Sequence, residues 1–219
     1  METGDAAMFL HALFDFDMTL VDSSYAIRDT MNLLAQREGL SPVTREQVLS
    51  VIGLPIRESW VVLWGRFHED WLTGYREIFR EREFAGIVPF RGTVGLLDEL
   101  TRRGVGLGVA SNRQDPRPVL KATGLDGYFR AVVGTEDVEH PKPAPDMILK
   151  GLRDLGGTTD STLFVGDTLD DMVSAKAASV RAVGLTTGNF APDELKRAGA
   201  WRVVDDIGDI LPLFPEEKS

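Results

Sequence analysis

Cysteine is absent from the 219-residue chain. That excludes disulfides and thiolate metal sites, and it is compatible with a reducing compartment. Histidine is scarce, and His11, His68 and His140 are too scattered to build a metal site. No apolar run approaches the roughly 20 residues that a membrane span needs, and no Asn-x-Ser/Thr acceptor occurs. Positive charge is in deficit, with 24 Lys and Arg against 34 Asp and Glu and a net charge of −10. Proteins that track nucleic-acid phosphates usually show the opposite balance. Neither nucleic acid nor a membrane is therefore expected as a partner. Met1-Glu2-Thr3-Gly4-Asp5 places no basic run ahead of a long apolar stretch, so no signal peptide is expected. The chain reads as a soluble cytoplasmic protein of unknown oligomeric state.

What is present is an alternation of strands and helices. An apolar run over Phe9–Phe14 ends at Asp15. From Ser24 to about Phe84 the spacing turns helical, as in Ile27-Met31-Leu34 and Trp60-Leu63-Trp64-Phe67. Beyond Gly86, Pro89 and Gly92 come a helix around Val94–Leu100, a strand over Val105–Ala110 and a helix near Pro116–Thr123. A strand near Ala131–Val133 and a helix near Ala144–Leu155 follow, then a strand over Thr162–Val165, a helix over Asp171–Ser179 and a strand over Val180–Val183. Arg202–Val204 reads as a last strand before a short C-terminal helix. Such alternation implies a doubly wound, mainly parallel α/β sheet of the Rossmann-like kind. The expected organisation is a core of residues 1–19 and 88–219, with an all-helical cap inserted at 20–87.

Chemistry in such sheets sits beyond the carboxyl ends of the strands. Three strands there end in polar residues, at Asp15-Phe16-Asp17-Met18-Thr19, at Ser111-Asn112 and at Gly166-Asp167-Thr168-Leu169-Asp170-Asp171. Lys142 lies in His140-Pro141-Lys142-Pro143-Ala144-Pro145-Asp146. Converging carboxylates repel one another and must be partly neutralised. A hard divalent cation with oxygen ligands does this, and Mg²⁺ typically takes one or two carboxylates plus a substrate phosphate. Lys142 and the Ser111 hydroxyl suit the remaining phosphate oxygens. A carboxylate held against a clamped phosphoryl group can attack phosphorus, and Asp17 is spaced to act as general acid and base.

Residues Phe14 to Ser23, reading FDFDMTLVDS, resemble the first motif of the haloacid dehalogenase superfamily, usually DxDGT-L-x-D-S. Ser111, Lys142 in its Lys-Pro-x-Pro-Asp context, and Gly-Asp-x-x-x-Asp at 166–171 match the second, third and fourth motifs in order. The helical insertion after the first motif is similar to the family's type 1 cap. The resemblance implies an Mg²⁺-dependent phosphatase acting on a small phosphorylated metabolite. Asp15 would be nucleophile and metal ligand, and Asp17 acid and base with its carbonyl on the metal. Ser111, Asn112 and Lys142 would bind the phosphoryl group, and Asp167 the metal. Asp171 would support the metal shell or orient Lys142, with Asp170 a competing carboxylate at the less usual spacing. Met18 departs from the pattern, since glycine is usual there. Asp17 argues against the dehalogenase branch, which lacks it.

The segment Gly53-Leu54-Pro55-Ile56-Arg57-Glu58 looks like the specificity loop of phosphoglycolate phosphatases. Arg57 is either a partner for a substrate anion or a solvated arginine at a helix start. Phosphoglycolate is the leading substrate expectation, with a β-phosphoglucomutase-type mutase and a non-catalytic binding relative as alternatives. The absence of lysine between Asp22 and Gly86 argues against phosphonate cleavage by a cap Schiff base. Trp60, Trp64 and Phe67 read as the cap's own core. Gly104-Val105-Gly106-Leu107-Gly108 lacks dinucleotide-loop spacing, and Asp205-Asp206 reads as a helix cap.

Overall fold

The computed structural model describes residues 9–52, 54–82 and 84–216. The N-terminal Met1–Asp5 and Gly53 of the expected specificity loop lie outside the described residues. In chain order the elements are β1 (His11–Phe14), β2 (Val21–Asp22), α1 (Ser24–Glu38), α2 (Arg45–Leu49), α3 (Ile56–Trp64), α4 (Glu69–Glu81) and β3 (Val88–Pro89). Then follow α5 (Thr93–Arg102), β4 (Gly106–Ala110), α6 (Arg117–Ala122), β5 (Ala131–Val133), α7 (Asp146–Leu155) and β6 (Thr162–Gly166). The chain closes with α8 (Leu169–Ala177), β7 (Arg181–Leu185), α9 (Pro192–Ala198), β8 (Arg202–Val204) and a 3₁₀ turn over Ile207–Leu213. Two compact units result, one of Met1–Val21 with Pro89–Ser219, the other of Asp22–Val88.

The first unit holds a six-stranded sheet in the order β5-β4-β1-β6-β7-β8, parallel throughout. Strands buried on both faces read as apolar runs without alternation, as Ala12-Leu13-Phe14 and Leu163-Phe164-Val165 do, all of them fully buried. β1 lies at the switch point: the chain adds β4 and β5 on one side of it and β6, β7 and β8 on the other. Helix α7 packs on β4, β5 and β1, and α8 on β6 and β7. The register sets Phe14 beside Val109 and Val165, so Asp15 leaves the sheet level with Ala110 and Gly166, and Ser111 and Asp167 follow one residue further on at the same edge. Gly108 belongs to this packing and not to a nucleotide loop. A Cβ there would come within 2.9 Å of Leu13 and 3.1 Å of the Ala131 backbone.

The second unit is a four-helix cluster around Trp60, which is fully buried against Trp64, Phe67, Trp71 and Tyr75. These aromatics form the unit's own core. Two polar clamps tie its chain. Asn32 exchanges hydrogen bonds with Val43 (3.0 and 2.7 Å), and Asp22 accepts from the Ser24 backbone and from Arg45, both at 2.9 Å.

Several boundaries differ from the sequence expectation. Helix α8 starts at Leu169 because Thr168 caps it, and β1 starts at His11. The C-terminal helix is a 3₁₀ turn with Pro212 inside it, capped by Asp206 accepting from Gly208 N–H. Helix α9 was not expected. Only Leu195 of its seven residues is buried, so it carries no helical period. Among the described residues no helix is long and apolar enough to cross a membrane.

His11 opens β1 with its Nδ1 buried and without a hydrogen-bond partner among the described residues. Burial lowers its pKa below the ordinary 6.5 and the Arg130 charge adds to this, while the Ser161 backbone opposes it. The folded state thus prefers the neutral ring, so this contribution to stability is complete above pH 6.5 and is lost as pH falls below it. Urea midpoints for wild type and His11→Gln should therefore draw together, or cross, between pH 7.5 and pH 5.5. A gap that widens on acidification would refute this reading.

Candidate active site

Asp15 follows β1 directly, its N–H bonded to the Val165 carbonyl at 2.8 Å, and its side chain is buried. Lys142 Nζ donates to Asp15 Oδ1 and to Asp171 Oδ1, both at 2.6 Å. Lys142 and Asp171 are themselves buried. The Asn112 side chain grips the Lys142 backbone twice, accepting from its N–H and donating to its carbonyl, each at 3.2 Å. Asp171 belongs to a capping box at the start of α8. Its N–H donates to Thr168 Oγ1 (3.1 Å), and its Oδ2 accepts from Thr168 N–H (3.0 Å) and Oγ1 (2.6 Å). Asp171, not Asp170, therefore makes the lysine contact, and both of its oxygens are engaged.

Asp167 ends β6. Thr19 Oγ1 donates to its Oδ1 at 2.7 Å, while its Oδ2 is buried without a partner among the described residues. The backbone of Gly188 passes so close that a Cβ there would come within 2.1 Å of that oxygen. Only glycine leaves room for this carboxylate. Carboxylate oxygens of Asp15, Asp167 and Asp171 lie within 4.8 Å of one another.

The electrostatics match this crowding. Burial pushes the Asp15 carboxyl up to about 7, helped by the Asp171 and Asp17 charges and opposed by Lys142. Burial also raises Asp167 well above the ordinary carboxylate range, and the charges of Asp15 and Asp171 add to this. Burial works to lower Lys142, but its two carboxylate partners outweigh it and raise the ammonium pKa. One ammonium does not neutralise three buried carboxylates. The unpartnered Asp167 oxygen and an all-oxygen donor set fit a hard divalent cation.

Asp17 lies two residues beyond Asp15 and pairs with Arg113, Nε to Oδ2 and Nη2 to Oδ1, both at 2.7 Å. Met18 takes a left-handed backbone (φ 59), the conformation for which glycine is the usual choice. Its side chain is buried, its N–H donates to the Val21 carbonyl at 2.8 Å, and its carbonyl accepts from Thr187 Oγ1. Burial of about one methionine side chain, on the order of 1.5–3 kcal/mol, offsets a left-handed cost of roughly 1–2 kcal/mol.

The fold thus gathers Asp15, Asp17, Ser111, Asn112, Lys142, Asp167 and Asp171 at the carboxyl edge of one sheet. A search with family models matches residues 12–185 to the haloacid dehalogenase-like hydrolase model. The chain belongs to that family. Similar proteins include one named Probable phosphatase IndB of Dickeya dadantii, 33% identical over 91% of this chain and 90% of its own. The pyrophosphatase PpaX of Anoxybacillus flavithermus is 29% identical over 92% and 95%. The phosphoglycolate phosphatase of Agrobacterium fabrum is 27% identical over 94% and 92%. Among solved structures, a haloacid dehalogenase-superfamily hydrolase of subfamily IA from Geobacter sulfurreducens superposes with a TM-score of 0.74 at 26% identity, covering 98% of this chain and all of that one.

Arg57 belongs to the helical unit, in the first turn of α3. It is exposed, paired with Glu69 and laid over the Phe67 ring at 4.1 Å. His140, two residues before Lys142, pairs with Asp146 at the start of α7 at 3.1 Å. Sequence reasoning did not single out Arg113, Thr187 or Gly188. The available signal was position, since Arg113 follows Ser111-Asn112 and Thr187-Gly188 follow β7, both at carboxyl ends of core strands.

Proposed function

We propose that this hydrolase is an Mg²⁺-dependent phosphatase that removes phosphate from a small phosphorylated metabolite through an aspartyl-phosphate on Asp15, acting in the cytoplasm. Phosphoglycolate is the leading substrate. Membership of the hydrolase family and its phosphatase relatives support a phosphoric ester hydrolase. The observation that carries the mechanism is the buried Asp15 carboxylate, 2.6 Å from Lys142 and beside the unpartnered Asp167 oxygen. In this reading the α/β unit carries the chemistry and the helical unit serves as its cap.

An Asp15 oxygen attacks phosphorus as the bond to the leaving oxygen breaks, and Asp17 delivers a proton to that oxygen. Asp17 then takes a proton from water, which attacks phosphorus and breaks the Asp15–phosphoryl bond, releasing inorganic phosphate. Ser111, the Asn112 backbone and Lys142 hold the phosphoryl oxygens. The Asn112 side chain and Asp171 keep Lys142 in register. A bound cation, held by Asp15, Asp167 and the Asp17 carbonyl with Asp171 adjoining, supplies neutralisation of phosphoryl and carboxylate charge.

Phosphate release with Mg²⁺ across phosphoglycolate, pyrophosphate, sugar phosphates and nucleotides tests the reading. Turnover of one class that EDTA abolishes is expected. Silence across the panel with intact Mg²⁺ binding would oppose it, and interconversion of glucose 1- and 6-phosphates without phosphate release would make the protein a mutase.

A further inference from the structure

Arg113 leaves β4 two residues after Ser111, and its backbone N–H donates to Ser111 Oγ at 3.3 Å. The turn carrying it is tied to the segment after β5: Thr135 N–H donates to the Arg113 carbonyl (2.9 Å) and Glu136 N–H to the Gln114 carbonyl (3.3 Å). The guanidinium lies 5.5 Å from the Phe16 ring centroid and closes both prongs on Asp17. The two side chains are only 17% and 24% exposed. This is a held, partly desolvated fork and not a floating surface pair.

The two cations at this edge face different parts of a substrate. Lys142 serves Asp15 and Asp171, where the phosphoryl group is to be held, while Arg113 serves Asp17, which must face the leaving oxygen. In the fork both Asp17 oxygens are occupied. For Asp17 to reach the leaving oxygen, the guanidinium must give up at least one of them. A partly buried guanidinium that loses an acceptor needs another. Carboxylate and phosphoryl groups offer two oxygens at the spacing that a guanidinium accepts side by side. Beside Asp17, such a group would be carried by the leaving half of the substrate.

We propose that Arg113 is a specificity-determining residue that exchanges Asp17 for a second anionic group, carboxylate or phosphoryl, on the leaving side of the substrate. The proposal rests on the phosphatase reading and narrows its substrate class to small phosphorylated acids and diphosphates, against neutral phosphate esters.

Phosphoglycolate and 2-hydroxyethyl phosphate share an alkoxide leaving group and differ in the carboxylate, so they isolate this contact. Pyrophosphate adds the phosphoryl case. For Arg113→Ala, kcat/KM on phosphoglycolate and pyrophosphate should fall about 100-fold, mostly through KM. The loss on 2-hydroxyethyl phosphate should be about ten times smaller. Arg113→Lys should recover part of the difference, and it guards against an alanine variant that fails to fold. Equal losses on all three compounds would overturn the proposal and leave Arg113 as a positioning residue for Asp17. A wild type that prefers the neutral ester would also overturn it. A wild type that turns over sugar phosphates or nucleotides but none of these three would overturn it as well, whereas silence across that whole panel would remove the phosphatase reading itself, and this proposal with it.

Discussion

Asp15→Asn is expected to lower phosphate release by about 10,000-fold or more while leaving a folded protein, because losing a covalent nucleophile costs losses of that order in kcat. The amide keeps the shape of the side chain and leaves the backbone hydrogen bond from the N–H of residue 15 to the Val165 carbonyl in place, but it is no nucleophile. It also removes one of three crowded carboxylates. Since burial and the Asp171 and Asp17 charges already oppose ionisation of Asp15, metal-free stability should hold or rise. Lys142 retains Asp171 as a partner. Thermal unfolding beside the activity assay checks both halves. Residual turnover within about tenfold of wild type would assign the nucleophile elsewhere.

Lys142→Ala is expected to damage both stability and activity. The ammonium is buried and bonded to two buried carboxylates, and removing one partner of such a cluster typically costs about 3–5 kcal/mol. Its loss leaves Asp15, Asp167 and Asp171 facing one another without an internal cation. Protonation of Asp15 and Asp167 relieves the repulsion, so the stability deficit should be small at pH 5 and grow as pH rises through and beyond about 7, where Asp15 ionises even with the lysine present. Urea unfolding at several pH values without added metal measures this. A deficit that is flat with pH, or that shrinks on alkalinisation, would mean that the lysine is not what offsets the carboxylates.

Much of this arrangement was legible in the sequence because it lies at strand ends. Apolar runs closing on Asp15, Ser111 and Gly166-Asp167 announce buried parallel strands, and a shared register brings their ends together. Lys142 was legible only through its surrounding motif, since nothing local in a Pro-Lys-Pro loop says that its ammonium is buried. The Asp17–Arg113 fork joins residues 96 apart and leaves no periodic trace. The Asn112 clamp on the Lys142 backbone is likewise a tertiary contact, invisible where the side chain reads only as a neighbour of Ser111. Met18 stood out as a departure, and its left-handed backbone gives the reason glycine is common at that position. Helix α9 escaped because one buried leucine makes no pattern, and β2 and β3, two residues each, are below the length at which alternation can be read.

The central claim is a covalent phosphoryl group on Asp15, and chemical trapping tests it most directly. Acetyl phosphate, whose leaving group needs no proton, can be mixed with Mg²⁺ and the Asp17→Asn variant, in which loss of phosphate from the enzyme should be slow. Acid quenching and borohydride reduction then convert an acyl phosphate to the corresponding alcohol. The account predicts homoserine at position 15, dependent on substrate and absent from Asp15→Asn. Reduction at another aspartate, or a stoichiometric burst of acetate with position 15 unmodified, would contradict it.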